Sequence, residues 1–378
     1  MKIIFGVPKE ITPGENRVAL TPDTVEILTQ SGLSVAIQAG AGLNSGFSDE
    51  QYLKAGAKVV QNAKDLWDNS KIIVKLKGPQ KSEFQYFRED LVIFSFLHLA
   101  VEQELMLELL KKKVCAIASE AIKTPDGKLP LLEPMSEIAG KISIQMGARF
   151  LENSQYTKGM LLGGAAGVAP AKVVILGCGT VGTNAALCAH NLGADVSVLD
   201  VDTRKLNDLK KRAMGGLKTY FSNPSTIEEV AKEADLLICA VSKSSKRAPK
   251  LINAQIVKEM KKGSVIIDVA IDQGGNVETV DKITTFEHPV FEKYEVLHCA
   301  IPNIPSCTAN TSSRAYSYAI LPYLKELGEK STFVALKEDE TLSNGVYAFR
   351  GNATNEALAE AFNLKHTEIS LLIGFRVK

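Results

Sequence analysis

Short apolar runs alternate with amphipathic helical patterns along most of the chain. The helix with the clearest limits is predicted over Asp23–Gln30, because Thr21 and Pro22 form a good cap and first turn and Gly32 ends the pattern. Strands in the first third are predicted at residues 3–7 (IIFGV), Ser34–Gln38, Lys58–Val60, Ile72–Lys77, Leu91–Leu99 and Val114–Ser119. Such alternation is typical of a doubly wound α/β domain.

The alternation resumes near the middle of the chain. A helix is predicted over about Ser136–Glu152, and the glycine-rich segment 159–172 follows as a hinge or boundary. Further strands are predicted at Val173–Leu176, Val196–Leu199, Leu236–Ala240, Ser264–Val269 and Glu295–His298, and a helix at Ser312–Leu327. We therefore expect an α/β protein with two doubly wound domains. Residues 1–130 plus 310–378 would form a discontinuous substrate domain, and residues 131–309 a dinucleotide-binding domain.

The most specific motif lies in segment 172–200. A strand runs directly into Gly177, Gly179 and Gly182, spaced G-x-G-x-x-G, and an alanine-rich helical pattern follows. The first glycine allows a tight turn, the second lets the backbone approach a pyrophosphate, and the third lets the helix pack on the strand. Asp200 ends the next strand, where a carboxylate binds the adenosine ribose. The segment predicts a Rossmann domain, since a turn used only for packing would leave Asp200 unexplained.

Composition narrows the class of protein. The 378 residues carry a net charge of +1 and are 45% hydrophobic and 23% charged, which argues against nucleic-acid or membrane partners. No run approaches the roughly 18 apolar residues of a membrane span. The first apolar run is too short for a signal-peptide core. The six cysteines show no C-x-x-C pair, so we expect reduced thiols and a cytoplasmic location. No metal site is expected.

Polar side chains near predicted strand ends are the candidates for further chemistry. Arg17 lies in a polar loop after the first strand, and Lys75 and Lys77 are expected to share one face of their strand. His98 and Asp272 each follow an apolar run. Each group alone has an ordinary structural explanation. Together they supply cations for a carboxylate, a group titrating near neutral pH and an acid, which suits oxidation of a 2-amino or 2-hydroxy acid.

Ordered motifs along nearly the whole chain resemble the alanine dehydrogenase family, which is related to the α subunit of nicotinamide nucleotide transhydrogenase. The motifs are GVPKE…ENRVALTP, AGAGLNSGFSDE, FLHLA, LPLLEPMSEIAG, the glycine loop, YFSNP, APKL, GSVIIDVAIDQGG, TTFEHP and NIP. The resemblance implies NAD-dependent oxidative deamination of L-alanine to pyruvate and ammonium, and the reverse reductive amination. It also implies a homohexamer.

The resemblance also implies residue roles. Arg17 and Lys77, rather than Lys75, would bind the substrate carboxylate. His98 would be the catalytic acid and base, and Asp272 the second catalytic carboxylate. The residues that would contact the cofactor are Ser136, Gly177, Gly179, Thr180, Val181, Gly182, Asp200, Lys205, Ser222, Val241, Ser242, Val269, Ala270, Ile271, Asp272, Ala300, Ile301, Pro302 and Asn303. NAD is favoured over NADP because the Asp200 carboxylate would repel a 2′-phosphate, although Arg204 and Lys205 lie nearby.

Three departures from the family pattern leave alternatives open. Gly78 stands where a glutamate is usual, the loop GAAGV replaces G-V-P-G-V, and Asn310 stands where a basic residue is expected. The substrate could therefore be another small 2-amino acid. A soluble transhydrogenase α subunit is a second alternative, although such domains usually lack a working histidine–lysine pair. A non-catalytic nucleotide-binding protein is the third.

Overall fold

The computed structural model describes residues 3–152, 159–242 and 247–374. Its strands are β1 (Ile3–Val7), β2 (Val35–Gln38), β3 (Lys58–Val60), β4 (Ser70–Lys77), β5 (Val92–Phe96), β6 (Cys115–Ala118), β7 (Lys172–Leu176), β8 (Asp195–Asp200), β9 (Lys218–Phe221), β10 (Leu236–Cys239), β11 (Val265–Asp268), β12 (Phe291–Lys293), β13 (Val296–Cys299), β14 (Val346–Phe349) and β15 (Asn352–Ala353). Its α-helices are α1 (Pro22–Gln30), α2 (Asp49–Lys54), α3 (Ala63–Asn69), α4 (Gln103–Lys111), α5 (Glu133–Glu152), α6 (Thr180–Asn191), α7 (Thr203–Arg212), α8 (Pro224–Lys232), α9 (Ala254–Glu259), α10 (Ala309–Glu329), α11 (Thr332–Glu338), α12 (Glu340–Asn344), α13 (Glu356–Ala361) and α14 (Ile369–Ile373). Short 3₁₀ helices lie at Leu43–Ser45, Lys81–Tyr86, Leu99–Val101, Ser119–Ala121, Val269–Gln273 and Ile304–Thr308.

The described residues form two compact units. The first contains the residues up to Met135 and those from Thr308 onward, and the second contains Ser136–Cys307. One boundary therefore lies inside α5 and the other just before α10. The sequence places these boundaries at 130/131 and 309/310.

The first unit is built on an eight-stranded sheet in the order β15-β14-β6-β5-β4-β1-β2-β3. Strands β1 to β6 are parallel, and β14 joins the edge of β6 in the antiparallel direction. The order reverses between β1 and β4, because β2 and β3 extend to one side and β5 and β6 to the other. Ligands bind beside such a reversal in doubly wound sheets.

The second unit has the sheet order β12-β13-β11-β10-β7-β8-β9, which is the Rossmann order with β12 added antiparallel at one edge. Here the reversal lies between β7 and β10. Every residue of β10, β11 and β13 is buried, and apart from Asp268 and His298 their residues are apolar, as is typical of strands covered on both faces. Helix α6 buries its small Ala185, Ala186 and Ala189 side chains in the core of this unit.

The predicted α/β class with two doubly wound domains is confirmed. The main local difference is at β5, which ends at Phe96 rather than at Leu99, because His98 adopts a left-handed backbone conformation with φ of 49°. Within the described residues, no helix combines the length and apolar character needed to cross a membrane.

Candidate active site

Three predicted substrate-site residues lie near the strand-order reversal of the first unit. Lys77 ends β4, and His98 follows the neighbouring strand β5. Arg17 lies in the loop between β1 and α1. The fold therefore brings residues from three distant sequence segments to the carboxyl edge of one sheet, which is where such sheets bind ligands.

Glu15 holds the guanidinium group of Arg17 in a buried ion pair. Nε and Nη2 of Arg17 donate to the two Glu15 carboxylate oxygens, each at 2.6 Å, and Nη1 lies 3.2 Å from Sδ of Met135. Both charged side chains are buried. Because Glu15 takes the Nε–Nη2 edge, a bidentate substrate carboxylate would have to use the Nη1–Nη2 edge of the fork.

Serine side chains of α10 hold the loop that carries Arg17. The amide of Val18 donates to Oγ of Ser313, and the amide of Thr21 donates to Oγ of Ser317, both at 3.0 Å. Both serines are buried, so these bonds satisfy amides that have no access to water. The C-terminal segment of the chain thus fixes a loop near its N-terminus.

Lys75 has a structural role. Its side chain is 1% exposed, and Nζ lies 3.0 Å from Oε1 of Glu83 and 3.2 Å from Oε2 of Glu10. Burial alone would lower the pKa of Lys75, but the two carboxylates offset this effect and raise the pKa above its ordinary value. Lys75 is therefore engaged as a buried cation between two acids.

A bulge in β4 lies between Lys75 and Lys77. Val74 pairs with Phe94 and Lys77 pairs with Phe96, so three steps along β4 match two along β5. Because of the bulge, a spacing of two residues does not place Lys75 and Lys77 on one face of β4. The prediction of a shared face assumed a regular strand without a bulge. The burial of the two lysines differs accordingly, because Lys77 is only half-buried.

The buried carboxylate of Glu10 stabilises the backbone at this bulge. Its Oε1 accepts hydrogen bonds from the amide of Leu76 at 2.6 Å and from the amide of Lys77 at 3.4 Å. Burial raises the pKa of Glu10, whereas the cation of Lys75 and the Leu76 amide oppose the rise. Glu10 therefore links the buried ion pair to the strand end that presents Lys77.

His98 lies in a tight turn held by Glu120. The amides of Leu97 and His98 donate to the Glu120 carboxylate at 3.1 Å and 2.7 Å. The imidazole stacks on the ring of Phe96 with a centroid distance of 6.1 Å. The backbone and the ring of His98 are thus both fixed by neighbours.

Desolvation and two nearby cations lower the pKa of His98. Desolvation by the surrounding protein lowers its pKa, and the cations of Lys77 and Arg17 lower it further, to about 4. The side chain of His98 is nevertheless exposed to solvent. The site therefore combines a neutral base with two cations, and it can bind a carboxylate and accept a proton.

In the second unit the glycine loop has the geometry that a dinucleotide pyrophosphate needs. Gly177 adopts a φ of 98° directly after β7, and a Cβ at Gly182 would collide with the carbonyl oxygen of Gly177. At Gly179, in contrast, no atom of the described residues beyond its two chain neighbours lies within 4 Å of the position a Cβ would take. Helix α6 begins immediately afterwards, at Thr180, and presents its first amides to this space.

Asp200 ends β8 beside this loop. One oxygen accepts from the amide of Cys178 at 2.6 Å and the other from the amide of Asp202 at 2.8 Å. The backbone of Ser222, another predicted cofactor residue, donates to the Asp200 carbonyl at 3.0 Å. The half-buried carboxylate is therefore oriented by backbone amides, and each oxygen retains a further lone pair for a ribose hydroxyl. Predicted Lys205 is exposed on α7.

Two buried residues, Asp268 and Asn276, shape the loops after β10 and β11. The Asp268 carboxylate accepts from the amides of Asn276 at 2.7 Å, Val277 at 3.0 Å and Ala270 at 3.2 Å. The Asn276 side chain accepts from the amide of Val241 at 3.0 Å and donates to its carbonyl at 2.9 Å. Burial raises the pKa of Asp268 to about 6, against the effect of these amides.

Asp272 lies in the 3₁₀ helix after β11, where its Oδ2 accepts from the amide of Asn303 at 3.2 Å. The other predicted cofactor residues lie at the carboxyl ends of strands or at helix starts: Val241 and Ser242 after β10, Val269, Ala270 and Ile271 after β11, Ala300, Ile301 and Pro302 after β13, Thr180 and Val181 in α6, and Ser136 in α5. Asp272 belongs to the second unit and is thus grouped with the cofactor residues, whereas Arg17, Lys77 and His98 belong to the first.

Sequence reasoning missed the acidic and amide groups that support these residues. Glu10 and Glu15 lie inside the GVPKE…ENR motif, and Glu120 and Asp268 end or follow apolar runs, as His98 does. An acid beside a buried strand is a signal that could have found them. Their partners could not have been found in this way, since each bond depends on which strands become neighbours.

Two family models match the chain. The N-terminal domain of alanine dehydrogenase/PNT proteins matches residues 6–139, and the C-terminal domain matches residues 143–356. The chain belongs to the alanine dehydrogenase/PNT family. The resemblance inferred from the motifs is thus confirmed.

Individual relatives agree with this assignment. An alanine dehydrogenase of Methanococcus maripaludis is 47% identical over 365 residues, which cover 97% of this chain and 98% of that relative. A solved L-alanine dehydrogenase structure superimposes with a TM-score of 0.92 at 42% identity, over 96% of this chain and 99% of the other. A transhydrogenase structure from Sinorhizobium meliloti is less similar, with a TM-score of 0.79 at 25% identity, over 93% and 99% of the two chains.

Proposed function

We propose that this chain catalyses NAD-dependent oxidative deamination of L-alanine to pyruvate and ammonium, and the reverse reductive amination. The observation that carries the proposal is the placement of His98, Lys77 and Arg17 after neighbouring strands at the carboxyl edge of one sheet, in a chain of this family. A carboxylate-bearing substrate needs the cations, and removal of a proton from an amine needs a neutral base.

Substrate binding would depend on the two cations. The Arg17 fork, which is held in place by Glu15, would bind the alanine carboxylate through two parallel hydrogen bonds, and Lys77 would add a point charge. The cations also orient the substrate, because a carboxylate fixed at both oxygens leaves its Cα at a defined position.

Proton transfer would be carried out by His98. With a pKa of about 4 in the ligand-free site, the imidazole is unprotonated and can therefore take up a proton as the amine of alanine becomes an imine. A bound substrate carboxylate would partly cancel the two cations and raise the pKa of His98, which makes the imidazole a stronger base and increases the protonated population that the reverse direction needs. Asp272 would stabilise the cationic imine and orient the water that attacks it.

The geometry of the glycine loop fits a dinucleotide, and bound NAD⁺ would accept hydride from Cα of alanine. The loop amides and the first amides of α6 would hold the pyrophosphate. Asp200 would bind the ribose hydroxyls and disfavour the 2′-phosphate of NADP. The family resemblance further implies a homohexamer, which light scattering on the purified protein would test.

The deciding experiment follows NADH absorbance in the presence of pyruvate, with and without ammonium. We expect oxidation that requires both, with NADH preferred over NADPH and pyruvate preferred over larger 2-keto acids. A keto acid other than pyruvate as the best substrate would change the assigned substrate. Hydride transfer from NADH to an oxidised nucleotide analogue, with no response to pyruvate, would support the transhydrogenase alternative. Nucleotide binding without either reaction would support a binding protein.

A further inference from the structure

Glu120 binds the backbone on which the catalytic histidine is mounted. Its two carboxylate oxygens accept separately, one from the amide of Leu97 at 3.1 Å and the other from the amide of His98 at 2.7 Å. Glu120 itself lies in the 3₁₀ turn Ser119–Ala121, immediately after β6. The carboxylate therefore ties the end of β6 to the end of β5, its neighbour in the sheet.

We call this pair of hydrogen bonds from the amides of Leu97 and His98 to Glu120 the clamp. It compensates for backbone hydrogen bonds that are lost where the chain leaves the sheet. β5 ends at Phe96, and His98 takes φ of 49° and ψ of 37°, a left-handed conformation that non-glycine residues seldom adopt. The amides of Leu97 and His98 have then lost their place in the strand ladder. The carboxyl group of Glu120 has two oxygens, so it can accept both amides at once and stabilise the left-handed turn.

The same turn of chain also supports the ring of His98. The imidazole stacks on Phe96, and the ring of Phe96 packs on Tyr316 with a centroid distance of 5.2 Å. The Tyr316 hydroxyl lies 2.7 Å from Oγ of Ser119, the residue before Glu120. The end of β6 thus fixes the backbone of His98 directly and its stacking partner indirectly.

Opposing electrostatic effects act on the Glu120 carboxyl group. Burial raises the pKa of Glu120, whereas the amides of Leu97 and His98 and the cation of Lys77 oppose that rise. Lys77 thus acts electrostatically on both Glu120 and His98.

We propose that Glu120 is a positioning residue for the reaction, which sets the orientation of the His98 imidazole by clamping the amides of Leu97 and His98. The proposal rests on the proposed function, in which His98 is the acid and base. Glu120 does not touch the substrate in this assignment and acts only through the backbone of His98.

The test compares Glu120→Gln with Glu120→Asp and with the surface variant Glu104→Gln, which removes an exposed carboxylate paired with Lys81. A glutamine amide keeps the shape but has only one acceptor oxygen, so one of the two backbone amides loses its partner. We expect turnover of Glu120→Gln to fall about 10- to 100-fold, because displacement of a catalytic group by about 1 Å can cost 10²-fold. NADH affinity, measured by fluorescence, should stay unchanged, and Glu120→Asp should regain part of the loss.

Two further readouts separate positioning from general stability. With NADH deuterated at the transferred position, Glu120→Gln should show a larger isotope effect on turnover than the parent enzyme, because chemistry has become slower than product release. A merely structural role would lower the active fraction and leave the isotope effect and the pyruvate KM unchanged. That outcome, or turnover within about threefold of Glu104→Gln, would overturn the proposal.

A nuclear magnetic resonance measurement keeps the test independent of the reaction. The chain has five histidines, and selective ¹³C labelling gives a signal for each, with His98 assigned by its loss in His98→Asn. Glu120→Gln should shift the His98 signals and leave those of His298 in place. Unchanged His98 signals would refute the clamp even in an active enzyme. An inactive parent enzyme would instead refute the proposed function while the clamp could still be measured.

Discussion

The three residues of the first unit that are proposed to act on the substrate are each held by a glutamate. Glu15 binds the guanidinium of Arg17, Glu10 binds the amide of Lys77, and Glu120 binds the amide of His98. These acids orient the functional groups, and the acids paired with Arg17 and Lys75 also balance buried positive charge. Substitution of a cation that is paired with a buried acid is therefore expected to lower the stability of the protein. Substitution of a group that only contacts the substrate is expected to lower activity instead.

Two substitutions separate the chemical role of the His98 imidazole from the effect of its left-handed backbone conformation on stability. His98→Ala and His98→Asn should both lower turnover about 10²–10⁴-fold, the usual effect of losing a general acid–base group, with NADH affinity retained. His98→Asn should be the more stable of the two, because asparagine tolerates a φ of 49° better than alanine does. Steady-state kinetics and urea unfolding on the pair would check this, and near-normal turnover in either variant would return His98 to a packing role.

Substitutions of Lys75 and Lys77 in β4 should have different effects. Lys77→Met should raise the KM for pyruvate and lower turnover, because a charged hydrogen bond of about 1.5–3 kcal/mol is lost from the substrate. Lys75→Met should instead destabilise the protein by about 3–5 kcal/mol, because it leaves the buried carboxylates of Glu10 and Glu83 without their cation. Kinetics and urea unfolding on both variants distinguish the roles. A KM defect confined to Lys75→Met would mean that the substrate lysine is wrongly assigned.

At the scale of elements, the ends of parallel strands collect the chemistry of both units. β4 and β5 present Lys77 and His98, and β7 and β8 present the glycine loop and Asp200. A strand end frees backbone amides from the ladder, and side chains such as Glu120 and Asp200 accept from those amides. The strand ends are therefore both anchored and chemically accessible.

Asp200→Asn should weaken the preference for NADH over NADPH. The change removes the charge that repels a 2′-phosphate and weakens the ribose hydrogen bonds, and each effect is about 1–3 kcal/mol. Asparagine is preferred to alanine here, because its amide oxygen can still accept one of the bonds from Cys178 and Asp202. Dissociation constants of both nucleotides for the two proteins provide the measurement. Equal use of NADPH and NADH by the parent chain would contradict the role of Asp200.

At the scale of the whole molecule, the six parallel strands follow the same order in both units, and the second unit buries two titratable groups whose pKa shifts have opposite effects on stability. His298 is fully buried, and its Nε2 lies 2.7 Å from the Thr279 hydroxyl and its Nδ1 2.9 Å from the Val296 carbonyl. Burial lowers the pKa of His298 to about 4, whereas burial raises the pKa of Asp268 to about 6. The lowered pKa of His298 means that acid pH destabilises the folded state. The raised pKa of Asp268 means that the folded state binds a proton at a higher pH than the unfolded state does.

The contribution of His298 can be isolated by comparison with His298→Gln. The folded imidazole stays neutral down to about pH 4, whereas the unfolded one protonates near its ordinary pKa of about 6.5. Its contribution is therefore complete above pH 6.5 and is lost as the pH falls toward 4, by up to about 3 kcal/mol. Urea unfolding of the parent chain and of His298→Gln, measured from neutral to acid pH, should show that the difference between their free energies of unfolding becomes smaller as the pH falls. Parallel pH profiles would show that His298 does not remain neutral in the fold.

The sequence by itself determined the class of the fold, the family and the positions of the candidate groups. These features can be read from local sequence. The spacing of apolar residues predicts helices and strands, and Gly177, Gly179 and Gly182 predict the dinucleotide loop because glycine has a flexible backbone and no side chain. Strand limits were also close, except where His98 leaves the sheet. The predicted roles of Arg17, Lys77, His98 and Asp272 remain predictions that the experiments above would test.

Tertiary structure alone decided how those groups are held. Glu10 meets the Leu76 amide across 66 positions, and Ser317 meets the Thr21 amide across 296. The β4 bulge, which separates Lys77 from Lys75, appears only once β4 pairs with β5. Hydrogen bonds and ion pairs of this kind depend on which segments become neighbours in space. The spacing of apolar residues along the sequence predicts helices and strands but does not show which of them become neighbours.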